Sequence, residues 1–135
     1  MPLLINIDVD DLAAGERFYV MAFGLRPGRR FEGAVELLGA ESPIYLLEKH
    51  AGSAPSHTTT QLRDYRRHWT PVHLDFAVDD IDAAVARALA AGAVQEQAVA
   101  TRNWGRLALM ADPFGHGFCL VQFLGRGYDE IALPG

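Results

Sequence analysis

The chain has 135 residues, half of them hydrophobic and 21% charged, with a formal net charge of −5. This suits one folded unit, since about 100–200 residues make a domain, and the composition is not that of a disordered chain. It lacks the basic stripe of a nucleic-acid binder, and no apolar run approaches the ~20 residues of a membrane helix.

The first element is an alternating run. Period-two geometry puts Leu3, Ile5, Ile7 and Val9 on an apolar face and Leu4, Asn6 and Asp8 on a mixed one. The apolar set is expected to pack on a helix and the mixed set to line something wetter. Asp10 or Asp11 can cap a helix carrying Leu12, Phe18, Tyr19, Ala22 and Phe23, with Gly24 as its stop. Gly15 weakens that helix by up to ~1 kcal/mol relative to alanine. Strands are then expected at about Arg29–Phe31, Ala34–Leu38 and Pro43–Lys49, closing a first module over residues 1–50.

Residues 51–70, rich in Ser and Thr, read as a connection. Its Arg63–Arg67 stretch reads as a solvated loop rather than an anion contact, and its later part, with Tyr65 and Trp69, is expected to dock on the body. Next, His73-Leu74-Asp75-Phe76-Ala77-Val78-Asp79-Asp80-Ile81 repeats the pattern of Leu4–Leu12 at a constant offset of 69. A repeat of this kind means two copies of one supersecondary unit. Val72, Leu74, Phe76 and Val78 share the apolar face, and His73, Asp75 and Ala77 the mixed one.

Asp79 or Asp80 can cap the second helix, whose stripe is Ile81, Ala84, Val85, Ala88 and Leu89, with Gly92 at its end. Strands are expected at about Val94–Ala100, Arg106–Ala111 and Gly117–Phe123. Asp112-Pro113-Phe114-Gly115 is a turn signal. The second module thus covers residues 71–124, and the glycine-punctuated tail, 125–135, is expected on the surface.

The duplicated units, with Trp104-Gly105 and the closing Asp112-Pro113-Phe114-Gly115-His116-Gly117-Phe118-Cys119-Leu120, resemble the vicinal oxygen chelate superfamily. That group includes glyoxalase I, bleomycin-resistance proteins, fosfomycin-modifying enzymes and extradiol dioxygenases. The resemblance implies an α+β fold in which two βαβββ modules pair into an incomplete barrel around a shared cup, and it implies a homodimer. It also implies a metal site on the first and last strands of each module. Carried over by position, those sites fall on His73 and Cys119 in module two and on Leu4 and Tyr45 in module one. This ligand set is degenerate, because a catalytic zinc keeps three protein ligands plus water and a non-haem iron site needs two histidines and a carboxylate. No cofactor is therefore expected. The alternative is a divalent metal (Zn, Ni, Fe or Mn) on His73 and Glu48, which a one-residue slip of the strand would turn into the cup.

His73 is the acid/base candidate. Asp75 shares its face about 7 Å along the strand. An arginine of the Arg63–Arg67 loop is its expected partner, with His73 or a ligand as alternatives. Cys119 is expected beside His73, as a small buried hydrophobe rather than a nucleophile. Tyr45 and Asn6 are candidate ligand contacts, although Tyr45 also suits barrel filling. Trp104, Phe123 and Trp69 are candidate walls. His116, in the closing turn, is expected to take a positive φ.

The expected function is metal-independent binding of a small molecule in the cup, either to sequester it or as a lyase or isomerase of the glyoxalase type. Two alternatives stand beside it: a metal-dependent lyase or dioxygenase using His73 and Glu48, and a non-catalytic structural or regulatory module. A single cysteine and the lack of a basic-then-apolar leader point to the cytoplasm. No nucleic-acid or membrane partner is expected.

Overall fold

The computed structural model describes residues 1–135. The first module begins with β1 (Ile5–Val9) and continues into α1 (Leu12–Phe23). The Asp11 carboxylate accepts the Ala14 N–H at the start of α1, and Gly24 closes its end in the left-handed conformation. β2 (Arg26–Phe31), β3 (Ala34–Leu38) and β4 (Ile44–Glu48) complete the module. The second module repeats the order with β5 (Leu74–Ala77) and α2 (Ile81–Ala91), which is capped by Asp80 through the Ala83 N–H and closed at Gly92. It ends with β6 (Val94–Gln95), β7 (Ala100–Thr101), β8 (Gly105–Ala111) and β9 (Gly117–Phe123).

The strand orders show the same wiring twice. One sheet runs β1-β4-β3-β2 and the other β5-β9-β8-β6, with β7 also on β8. In each sheet the first strand lies parallel to the last, and the other pairs are antiparallel. The sheets do not close into a barrel. β1 and β5 are therefore edge strands, a placement that decides where the site forms.

A single cluster of 20 buried residues spans both modules. Val9, Val35, Leu37 and Leu46 pack beneath Phe18, Tyr19 and Ala22, while Ala108, Met110 and Leu120 pack beneath Ile81, Ala84, Val85 and Ala88. Each Leu- or Val-sized side chain so buried contributes about 1.5–3 kcal/mol. The two helices also pack on each other, which joins the modules.

Several local expectations need correction. Leu3 and Val72 have the right parity for the helix side but are 63% and 77% exposed, because both precede the paired part of their strands. Leu89 is 43% exposed, so the buried stripe of α2 is narrower than its apolar sequence. β2 starts at Arg26 and carries a register irregularity between Pro27 and Arg30. The strand expected over Val94–Ala100 is two short pieces, and between them Glu96 turns its carboxylate to Arg67. The Arg63–Arg67 loop is not simply solvated: Arg63 bonds Asp8, Arg66 bonds Asp64 and Arg67 bonds Glu96. Tyr65, whose hydroxyl donates to the Lys49 carbonyl, docks the connection as expected, but Trp69 does not pack down and stays 79% exposed. In the tail, a short 3-10 helix over Gly127–Glu130 sets Tyr128 against Trp104 and Phe123. No helix is long and apolar enough to cross a membrane.

Candidate ligand cleft

Because β1 and β5 are edges, the space between them is not filled by a neighbouring strand. It forms a cleft of about 580 Å³, within the usual range for small-molecule sites. Ile5, Ile7, Phe76 and Phe118 contribute apolar walls, and Asn6, Asp8, Tyr19 and His73 are among its polar lining. A second basin of about 140 Å³ adjoins it, lined by Arg67, Trp69, Glu96 and Cys119 among others. His73, Thr70, Gly117 and Phe118 line both, so His73 stands at the junction of the two spaces.

The parallel register places Asp75 opposite Cys119. His73 Nε2 lies 3.1 Å from Asp75 Oδ1, and one ligand-type atom from each of His73, Asp75 and Cys119 falls within 4.8 Å of the others. His73 and Cys119 therefore meet on the same face of one sheet, as the sequence implies. The partner of Asp75 is a correction: it is His73, because every arginine of the 63–67 loop already holds another carboxylate. Cys119 is 5% exposed. Burial, then the charge and hydrogen bond of Asp75, push its thiol up to about 11. Such a thiol is a poor nucleophile at neutral pH.

Two module-one candidates, Tyr45 and Glu48, are occupied elsewhere. Tyr45 donates its hydroxyl proton to Glu36 Oε2 at 3.0 Å and accepts from Arg29 at 3.1 Å. Glu36 is itself buried, and the Arg29 guanidinium bonded to it holds its carboxyl down at about 2. Glu48 accepts the Leu12 N–H at 2.9 Å, which ties its carboxylate to the start of α1. Leu4 lines the cleft and is 56% exposed. Asn6 lines the cleft too. Trp104 lines neither space and instead packs on Tyr128 at 5.1 Å between ring centroids; Phe123 faces a separate hollow beside Ala77 and Gln122.

Three bridges between the modules escaped the sequence reading, one of them the Arg87 Nε bond to the Ala22 carbonyl at 3.1 Å. Asp112, 4% exposed, accepts the Tyr19 hydroxyl at 2.5 Å and the N–H groups of Phe114 and His116 at 2.8 and 2.9 Å. Burial, then the nearby Asp112 charge, hold the Tyr19 phenol well above its ordinary range. His116 donates through Nε2 to the Asp8 carbonyl at 2.7 Å. It does not take a positive φ. Gly115 does, at 87°, and a Cβ there would lie 2.5 Å from the Arg66 carbonyl oxygen and 2.7 Å from that of Tyr65. An aspartate opening a turn signals the two backbone bonds; nothing local signals the bond from Tyr19.

Two βαβββ modules joined through their helices, with a cleft between their leading strands, define a protein of the glyoxalase/bleomycin-resistance/dioxygenase class. A family model described as a glyoxalase-like domain matches residues 4–121, and the chain belongs to that family. It is 33% identical to the anthracycline biosynthesis protein DnrV of Streptomyces peucetius over 95% of its length, but spans only 43% of that protein. It is 35% identical to the uncharacterised protein Mb0911c of Mycobacterium bovis, covering 87% of this chain and 80% of that one. The fold matches a crystal structure of a glyoxalase/bleomycin resistance protein/dioxygenase family enzyme from Burkholderia phytofirmans with a TM-score of 0.71, at 22% identity, over 90% of this chain and 97% of that one.

Proposed function

We propose that this chain binds a small organic molecule in the cleft between β1 and β5 without a metal, and either sequesters it or acts on it as a lyase or isomerase with His73 as acid/base. The observation that carries the reading is the position of His73, at the junction of two spaces with the Asp75 carboxylate 3.1 Å from its Nε2. A carboxylate this close is a charge partner for the ring when it carries a proton, which an acid/base role needs. The relationship to an anthracycline biosynthesis protein supports an organic ligand of natural-product size. The metal-free part rests on donors committed elsewhere: Tyr45 to Glu36 and Arg29, Glu48 to the start of α1. A homodimer and a cytoplasmic location belong to the same proposal.

One observation favours a second reading. His73, Asp75 and Cys119 could together offer a zinc-type ion the three protein ligands it requires. Elemental analysis of protein purified without chelator separates the two. The proposal expects substoichiometric metal that His73→Ala leaves unchanged. Stoichiometric zinc, nickel or iron that disappears in that variant refutes the metal-free mechanism. Ligand binding itself is checked by thermal shift against a panel, where a ligand at 100 times its Kd adds ~2.7 kcal/mol.

A further inference from the structure

Four polar side chains of the cleft share one property: each has already given its proton to the protein. His68 bonds the Arg66 carbonyl through Nδ1 at 2.8 Å, and His116 bonds the Asp8 carbonyl through Nε2 at 2.7 Å. A carbonyl or carboxylate oxygen only accepts, so in each case the ring nitrogen donates, and a neutral imidazole has only one N–H. The remaining nitrogen of each ring is therefore a bare acceptor. The same holds for the hydroxyls: Thr70 gives its proton to the Val72 carbonyl at 2.7 Å, and Tyr19 gives its own to Asp112. All four side chains line the one cleft.

We infer that the cleft selects an uncharged molecule with a flat apolar body carrying two or more hydroxyl groups, a polyhydroxylated aromatic being the chemical class. The inference rests on the small-molecule reading above and specifies its ligand. Among the lining side chains only the Asn6 amide and the His73 ring keep a proton to give, so a ligand made of acceptors would meet mostly lone pairs there. Unmatched fixed charge is absent as well. No lysine or arginine lines the cleft, and the carboxylate of Asp8 is already matched by Arg63 at 2.8 Å. An anion would find no cation, and an ammonium no unpaired carboxylate; either would lose hydration without replacement. The walls suit the body, since Phe76 and Phe118 pair edge to face, and Phe76 stacks on Phe23 with ring centroids 4.0 Å apart.

The test uses four probes of one shape at pH 8, above the ordinary imidazole range of about 6.5: a dihydroxynaphthalene, its dimethoxy analogue, a naphthoate and a naphthylmethylammonium. Calorimetry gives affinities, and backbone amide shifts at β1 and β5 locate the site. The dihydroxy compound should bind about tenfold or more tighter than the other three, the scale of one or two added hydrogen bonds. His68→Phe, on an exposed loop, should bring the hydroxy-to-methoxy ratio down several-fold while the dimethoxy probe still binds. Equal binding of the dihydroxy and dimethoxy probes in the cleft refutes the donor preference and leaves the small-molecule reading standing. Tighter binding of the ammonium or the naphthoate refutes the uncharged class. If no probe moves cleft amides, this inference fails, and the thermal-shift panel alone decides the small-molecule reading.

Discussion

Replacing Tyr19 by phenylalanine removes one oxygen atom from the interior and almost nothing else. The ring keeps its edge contact with Phe18 and its stack on Phe23, so the packing term should be nearly unchanged. What is lost is the 2.5 Å bond to Asp112, whose carboxylate stays 4% exposed with two backbone donors in place of three. Hydrogen bonds to charged groups are worth about 1.5–3 kcal/mol, so Tyr19→Phe should destabilise by about 2 kcal/mol. In a chain this size that lowers Tm by about 8 °C. Because Tyr19 lies on α1 and Asp112 between β8 and β9, the loss falls on the joint between modules. Urea unfolding of Tyr19→Phe, Asp112→Ala and the double variant should give a coupling of at least ~1 kcal/mol. A Tyr19→Phe cost under ~0.5 kcal/mol, or purely additive effects, would refute the argument that this buried bond fastens the modules.

Cys119 should react with iodoacetamide near neutral pH more slowly than a free thiol, since burial and Asp75 keep it protonated; labelling as fast as glutathione would contradict this. Gly115→Ala should cost more than ~1 kcal/mol in chemical denaturation, because φ is 87° and the added carbon would lie 2.5 Å from the Arg66 carbonyl. Glu36 ionises at about 2 in the folded chain, below the ~4.3 of an unfolded glutamate, chiefly through its bonds to Arg29. Its folded pKa is depressed, so its stabilising contribution is present above about pH 4.3 and lost as pH falls toward 2. Glu36→Gln should therefore flatten the stability–pH curve over that window in unfolding titrations, and an unchanged slope would count against the Arg29–Glu36–Tyr45 cluster.

The wiring of the fold was legible because it is written twice. The 69-residue offset, the Asp11 and Asp80 caps and the Gly24 and Gly92 stops are local signals, and each survives in three dimensions. The meeting of His73 with Cys119 was legible only through the resemblance, since parallel pairing of β5 with β9 brings together residues that no local pattern connects. Partners were the hardest to foresee. Long polar side chains choose among several oxygens by packing that periodicity does not encode. Thus Asp75 took His73 rather than an arginine, and Glu48 turned to the start of α1. Trp104 was expected at the cup, but the tail brought Tyr128 to it instead. Glu36 could have been suspected, as the one charged residue in the apolar run from Val35 to Leu38. Asp112 could have been credited with its turn bonds, though not with Tyr19 on a helix 93 residues away in sequence.

The most direct test is an anomalous difference map and an ordinary difference map from crystals of chelator-free protein exposed to extract of its own host. The account predicts organic density between β1 and β5 touching His73, and no anomalous peak among His73, Asp75 and Cys119. A metal-strength peak within bonding distance of those three, or a cleft closed by the chain's own side chains, would contradict it.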